Sequence, residues 1–327
     1  MTWFENLVGF DEHSPQQVRD QLTVDGDCFI GANGRRIGFG RLQTPTLAEL
    51  RQAAAKTNQV NGTTTVRGVI ADVQHLHMDP ANAGALFQVA SQFNLLEMAS
   101  PSVTPERGVG IYEGDRTQGP ACAIACGGGT IYRNYFANVG DRIGQSASHQ
   151  INCASDLGRL LGNDDGKHWQ MQNGYLFPSD QGLHEISLTL DRADETQRDR
   201  YRASLRIGLQ WNADVTLAEA SHKVSQAYCS ALPIAYGRQP TAQWREFATL
   251  VLEAAYEATF CAAKVNAQAT GSGKLFLTLL GGGVFGNEDR WIIDAIDRAI
   301  GHHCDSGLDV AIVSYSAPKP ALRRLFR

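Results

Sequence analysis

KLFLTLLGGGVFGNEDRWIIDAIDRAI, residues 274–300, is the stretch that decides the fold. Residues 274–280 form an apolar run of strand length, and glycines punctuate residues 281–286. Residues 288–300 then place Trp291, Ile292, Ala295, Ile296, Ala299 and Ile300 on one helical face, with Asp294 and Arg298 spaced as a supportive pair. A second apolar run, LDVAIVSY at 308–315, reads as another buried strand. Strand, glycine loop, helix and strand in that order predict an α/β sheet with helices on its faces.

Upstream, residues 244–267 read as a helix buried on most sides. Its few charges, Glu246, Glu253, Glu257 and Lys264, fall on one narrow stripe that reads as a solvated edge. Residues 183–190, 205–211 and 224–234 read as strands. Residues 140–182 are polar and irregular, with one short helix near 155–161. Residues 66–73 predict a strand ending at an acid, and residues 85–92 a second, largely buried strand. The long loop 101–120 leads to a helix that starts at Gly119-Pro120 and runs towards Tyr132. In the first sixty residues, CFIGANGRRIGFGRL (28–42) is hairpin-like about Asn33-Gly34. Thr46 and Glu49 fit a capping box that opens a helix over 46–56.

Composition narrows the function classes. The 327 residues carry 29 Lys and Arg against 34 Asp and Glu, a formal net charge of −5, which disfavours nucleic-acid binding by bulk charge. No run of 18 apolar residues lacks charges, so no membrane-spanning helix is expected. The acidic N-terminal stretch is not expected to be a secretion signal. Seven scattered cysteines without a CxxC pair read as reduced thiols in a cytoplasmic setting. His75 and His77 lack further ligands at metal spacing, so neither a metal nor a cofactor is expected.

Three features suggest chemistry. Gly281, Gly282, Gly283 and Gly286 follow a strand and open a helix, where backbone amides can cradle a phosphate; a plain strand–helix turn is the alternative. A dinucleotide site is disfavoured because no acid ends the next strand. With Glu288 and Asp289 in the first helical turn, a diphosphate is expected on the loop amides of residues 282–286. Asp72 at a strand tip can accept from an exocyclic amine, or it can be a turn aspartate. The loop YEGDRTQGP concentrates Glu113, Asp115, Arg116, Thr117 and Gln118 before a helix start, where a carboxylate could activate water and the alternative is helix capping. Gln88, Ser91, Gln92 and Asn94 are polar groups in and after an apolar strand and need partners, from a ligand or from neighbouring loops; Glu97 follows.

These motifs carry a resemblance. VRGVIADVQHL, ALFQVASQFNLLEM, YEGDRTQGPACAIA, GTIYRNYF and LTLLGGGVFGN together resemble the macrodomain superfamily, in its divergent MavL-like ADP-ribosyl hydrolase branch, over most of residues 60–320. The resemblance implies a three-layer α/β/α macrodomain-like mixed sheet over residues 61–327, with an insertion at about 140–182 and residues 1–60 as an N-terminal extension packed on the core. It implies ADP-ribose binding: Asp72 and the Val73 amide at the adenine, the diphosphate between the loop before Pro120 (Thr117, Gln118, Gly119) and Gly281, Gly282, Gly283, Val284, Phe285, Gly286 and Asn287, and Gln92 and Asn94 near the distal ribose. Asp115 matches the acidic position carried over as catalytic, with Glu97 or Glu113 assisting. The family's Asn-Ala-Ala-Asn run is here Ala90-Ser91-Gln92-Phe93-Asn94, and Asp115 to Gly119 replace the first glycine loop, which favours carboxylate chemistry. The expected activity is removal of ADP-ribose from modified protein side chains, arginine-linked and with ubiquitin among the candidate carriers, by cleavage at C1 of the distal ribose. A non-catalytic ADP-ribose reader is the alternative.

Overall fold

The computed structural model describes residues 2–57, 62–218, 220–317 and 319–326. The N-terminal part comprises α1 (Trp3–Val8), α2 (Pro15–Gln21), β1 (Thr23–Asp25), β2 (Cys28–Ile30), β3 (Arg36–Gly38), β4 (Arg41–Gln43) and α3 (Leu47–Ala55). There follow β5 (Thr65–Ile70), α4 (Val73–Met78), β6 (Leu86–Ala90), α5 (Gln118–Ala125), α6 (Gly127–Tyr135), β7 (Asn138–Val139), β8 (Arg142–Ile143) and α7 (Ser155–Leu160). The second half holds β9 (Trp169–Gln172), β10 (Tyr175–Pro178), α8 (Asp180–Arg192), α9 (Glu195–Ser204), β11 (Gly208–Asp214), β12 (Lys223–Cys229), α10 (Thr241–Thr270), β13 (Lys274–Leu277), α11 (Asp289–His302) and β14 (Asp309–Ser314).

Seven strands form the central sheet, in the order β4-β11-β12-β6-β13-β14-β5. The five from β12 to β5 are parallel, and β11 and β4 complete one edge antiparallel. Strands β6, β12 and β13 are largely buried along their length, as a parallel sheet covered on both faces requires. One helical layer is built around α10, which packs on α3, α8, α9 and α11; the other contains α4, α5 and α6. The result is a mixed three-layer α/β/α sheet.

Residues near the N-terminus enter this architecture at two places. β4 adds to the sheet edge, and α3 lies on α10 with its Thr46–Glu49 capping box formed. Phe4, Leu7, Val18, Phe29 and Ile37 make a second core with Leu96, Val109, Tyr112, Ile131 and Tyr135. The hairpin β2–β3 turns through Asn33 and Gly34, the latter at φ 77.

Three expectations are corrected. Residues 183–190 belong to helix α8, not a strand: Ser179 caps the Gly182 amide, and Leu183, Ile186 and Leu190 are buried at i, i+3 and i+7. The helix from Gln118 does not run unbroken to Tyr132. It breaks at Cys126, where φ −119 and ψ 60 interrupt the ladder, and Gly127 to Gly129 restart it in close contact with Leu7, Ile37 and Gln210. The acidic stripe of α10 is not a solvated edge. Glu257 is buried and accepts from Arg51 Nε at 2.5 Å and from Arg298 at 2.6 Å, while Arg51 grips Asp199 with two bonds of 2.8 Å. Arg298 is thereby drawn away from Asp294, which pairs instead with Arg290 and Arg324.

This hub ties α3, α9, α10 and α11 together. Burial alone would raise the Glu257 pKa, but the hydrogen bonds and charges of Arg51 and Arg298 outweigh it and hold the group below the usual carboxylate range. Its stabilising effect is therefore present above that range and lost as pH falls through the depressed value. Glu257→Ala leaves two arginines without their shared partner and is expected to cost roughly 2–3 kcal/mol at neutral pH. Urea titration would show this as a lower midpoint at unchanged slope, with the difference from wild type shrinking in acid.

Candidate functional site

The site begins with a fault in the sheet. β6 and β13 pair only at Leu86↔Leu275 and Phe87↔Phe276, and beyond these residues they separate. Side-chain amides take over the ladder. Gln118, the first residue of α5, accepts from the Ala90 amide at 2.9 Å and donates to the Gln88 carbonyl at 2.8 Å. Gln88 in turn accepts from the Thr278 amide at 3.3 Å and donates to Thr259 Oγ1 at 2.9 Å. Backbone groups that the split would orphan are thus satisfied. A cavity of about 300 Å³ opens at the C-terminal ends of β6, β12 and β13, reaching Ala90, Cys229 and Thr278. Parallel sheets characteristically bind ligands at that end of their strands.

Two runs of backbone amides border the cavity. On one side α5 starts at Thr117 with no side-chain cap, its third residue is Pro120, and the amides of Gln118 and Gly119 meet no acceptor among the described residues. On the other side the amides of Gly282, Gly286 and Asn287 close turns onto Leu279, Gly283 and Gly281. Those of Gly283, Val284 and Phe285, all in the cavity wall, meet no acceptor among the described residues. Successive unpaired N–H groups on one side and an uncapped helix start on the other give the cavity two lips of a kind that attracts anions. Gly281 makes the second lip possible: its φ is 68, and a Cβ there would strike the Asn287 side chain and Ala231.

Between the lips lie two carboxyl groups. Asp115 is half-buried and accepts from the Thr117 amide at 2.8 Å. Glu97 is 4% exposed, and its Oε1 has no hydrogen-bond partner among the described residues. Burial drives the Glu97 pKa well above the ordinary carboxylate value; Arg133 and the Ser91 hydroxyl oppose this, and Asp115 adds to it. The protein thus favours the protonated form of this side chain.

The turn carrying Glu97 is clamped by its surroundings. Gln92 exchanges hydrogen bonds with the Met98 amide and carbonyl, and Asn94 accepts from the Leu96 amide. The Tyr112 hydroxyl accepts from the Glu97 amide at 2.9 Å. Segment 140–182 encloses the other side: Tyr175 donates to the Met98 carbonyl, Gln145 to the Asn94 carbonyl, and the Phe93 amide to the Gly174 carbonyl. Tyr175, Tyr236 and Phe285 form an aromatic wall with ring centroids 5.5–5.8 Å apart.

Of the residues expected at a site, Asp115, Glu97, Gln92, Thr117, Gln118, Gly119, Gly281, Gly283, Val284 and Phe285 line this cavity. Glu113 does not: it is exposed and accepts from the Trp3 amide. Asn94 is fully buried and consumed by Leu96 and Gln150. Gly282, Gly286 and Asn287 shape the glycine loop from behind, Asn287 donating to the Leu232 carbonyl at 2.8 Å. Asp72 caps α4 by accepting from Gln74, with Val73 the first helical residue, and sits outside the cavity lining at the C-terminal end of β5. His77 is buried, stacks on Phe87 and has its pKa lowered to about 4 by burial. Sequence reasoning missed Tyr175, Tyr236 and Arg133. The last was visible as a lone cation inside the aromatic helical stretch GTIYRNYF. Among the described residues no cluster of three or more potential metal ligands occurs, and no helix is long and apolar enough to cross a membrane.

No family model and no curated protein matches the chain. Among solved structures it is similar to the poly(ADP-ribose) glycohydrolase of Thermomonospora curvata, at 14% identity and a TM-score of 0.45, with 95% of each chain covered. It is also similar to the poly(ADP-ribose) glycohydrolase of Deinococcus radiodurans in complex with ADP-ribose, at 13% identity and a TM-score of 0.44, covering 87% of this chain and 92% of that one.

Two outcomes follow from the geometry. Gln118→Ala leaves the Ala90 amide and Gln88 carbonyl unpaired, and a loss of about 2 kcal/mol in chemical denaturation is expected. Glu97, with its folded pKa raised, binds a proton that the unfolded chain releases, so wild-type stability falls as pH climbs from the ordinary carboxylate range towards the raised value. In Glu97→Gln that decline should flatten, which thermal melts from pH 5 to pH 9 would check.

Proposed function

We propose that the protein is an ADP-ribosyl hydrolase, cleaving the bond at C1 of the distal ribose of an ADP-ribosylated protein side chain. One observation carries the reading: a buried carboxyl group, Glu97, and a second one, Asp115, line a cavity bordered by two runs of unpaired amides. The amides of Gln118 and Gly119 on one lip and of Gly283 to Phe285 on the other suit a diphosphate. The MavL-like motifs give the same assignment. The adenosine end extends along the sheet edge towards Asp72, where Ile70 and Tyr315 expose apolar surface at the ends of β5 and β14. The distal ribose enters the cavity beside Tyr175 and Tyr236.

In the reaction Glu97 gives its proton to the leaving atom as the C1 bond breaks with its electron pair. Asp115 faces the oxocarbenium-like sugar, positions water and takes one of its protons as the new C1–O bond forms. Diphosphate binding remote from C1 supplies energy for holding the sugar in the reactive geometry. An arginine-linked substrate, on ubiquitin or another protein, suits this arrangement because the departing guanidine takes the proton that Glu97 supplies and leaves as a cation.

The test is release of free ADP-ribose from arginine-modified protein, run beside calorimetry with ADP-ribose. Glu97→Gln and Asp115→Asn should each bind ADP-ribose as wild type does and lose turnover by about 10²–10⁴-fold. Activity should decline with rising pH as Glu97 loses its proton. Glu113→Gln should be unaffected. Binding without release in the wild type would leave a reader module instead, and equal turnover in Asp115→Asn would remove that residue's role.

A further inference from the structure

Arg133, on α6, is a guanidinium only 1% exposed whose hydrogen-bond partners among the described residues are all neutral. It donates through Nε to the Leu95 carbonyl at 3.1 Å and through Nη2 to Thr130 Oγ1 at 2.9 Å. It also reaches Gln210 Oε1 at 3.5 Å, and its Cζ lies 3.6 Å from the centre of the Tyr228 ring. Burying a cation without a carboxylate partner is costly, so its presence calls for a reason. Leu95 supplies one half of it. This residue has φ 65, a left-handed conformation that a leucine rarely adopts and that only surrounding contacts can hold. Glu97 lies two residues further on.

Electrostatics supplies the other half. Arg133 and the Ser91 hydroxyl favour the ionised form of Glu97, and Asp115 from the lip disfavours it, while Glu97 in turn raises Tyr112, Tyr175, Tyr228 and Cys122. Burial keeps the three phenols and the thiol neutral. Among these groups Arg133 is the cation, held to the Glu97 turn through the Leu95 carbonyl.

We infer that Arg133 is the positioning residue of the Glu97 acid: its guanidinium, anchored on Thr130 and Gln210, holds the left-handed turn that carries Glu97 through the Leu95 carbonyl, and its charge balances the carboxylate left once the proton has moved to the leaving atom. The inference rests on the hydrolase reading for its role in turnover, but its physical content concerns Glu97 alone. A buried acid without a balancing cation would hold its proton too firmly to act as a donor and would be slow to recover between cycles.

The test titrates Glu97 directly by ¹³C NMR of the full chain labelled at glutamate carboxyls, with Glu97→Gln identifying the resonance, and sets beside it the pH profile of ADP-ribose release. In Arg133→Met the Glu97 midpoint should rise by about one pH unit or more. The alkaline limb of kcat should shift up with it, and turnover should fall at least tenfold. In Arg133→Lys, which keeps the charge and loses the guanidinium, the midpoint and limb should stay near wild type while turnover still falls. A folded Arg133→Met with an unchanged Glu97 midpoint overturns the inference. Should that variant not fold, Arg133→Lys decides, and wild-type turnover in it overturns the claim for the guanidinium. A shifted midpoint in a wild-type protein that releases no ADP-ribose would sink the hydrolase reading and leave the Arg133–Glu97 coupling standing. Release that depends on Glu97, with a midpoint that Arg133 does not move, would do the reverse.

Discussion

The structure depends on how a parallel sheet can be opened without exposing its own backbone. After Phe87 and Phe276 the neighbouring strands β6 and β13 part, and every ladder group at the split would cost free energy if left dry. Gln118 and Gln88 resolve this with two side-chain amides, each presenting a donor and an acceptor as a peptide unit does. Since Gln118 is also the first residue of α5, the same contact fixes the uncapped start of that helix against β6. Gly119 then passes so close to Ala90 and Glu97 that a Cβ would overlap the Ala90 carbonyl and Glu97 Oε2. Cavity, helix start and buried acid are consequences of one substitution of side chain for strand.

Enclosure of the acid explains why so much chain lies outside the seven strands. Segment 140–182 contributes Gln145, Gly174 and Tyr175 to the turn around Asn94 and Met98. From the other direction, the N-terminal region packs against the loop that leads to Asp115. Glu12 accepts from the amides of Val109 and Gly110 and from the Tyr135 hydroxyl, while Trp3 donates to the Val109 carbonyl. Both carboxyl groups of the site therefore sit on irregular backbone held by distant sequence. That arrangement gives precise placement to residues in loops, which would otherwise be the most mobile parts of the fold.

Much of the sheet was legible because its strands are uninterrupted apolar runs, and the hairpin and capping box were legible because turn and cap chemistry is local. Residues 183–190 misled for a physical reason: Ile186, Leu188 and Leu190 satisfy an alternating template, whereas the buried set Leu183, Ile186 and Leu190 with exposed Leu188 and the Ser179 cap is helical. Glu257 misled because a charge stripe on a helix says nothing about cations arriving from elsewhere, here Arg51 and Arg298. At the site, the glycine loop, Asp115 and Glu97 could be marked from residue types. That Glu97 lies deep while Glu113 lies outside could not, since burial there is decided by Tyr112, Tyr175 and Arg133, which are distant in sequence or silent in pattern.

The two halves of the proposed site reinforce each other electrostatically. Amide lips concentrate a dianion at the mouth of a cavity whose wall includes a buried carboxyl group. The negative charge of such a ligand would disfavour ionisation of Glu97 still further, so occupancy would favour the protonated donor. In the proposed reaction, the balance would reverse once the glycosidic bond yields. Positive charge would then gather on the sugar opposite Asp115, and Arg133 would balance the carboxylate newly formed at Glu97. A cavity built from carboxylates alone would repel its own diphosphate, and one built from cations would repel the oxocarbenium ion. Neutral amides for the diphosphate, a neutral acid for the leaving atom and one buried cation beyond the acid let a single cavity accommodate both charges in turn.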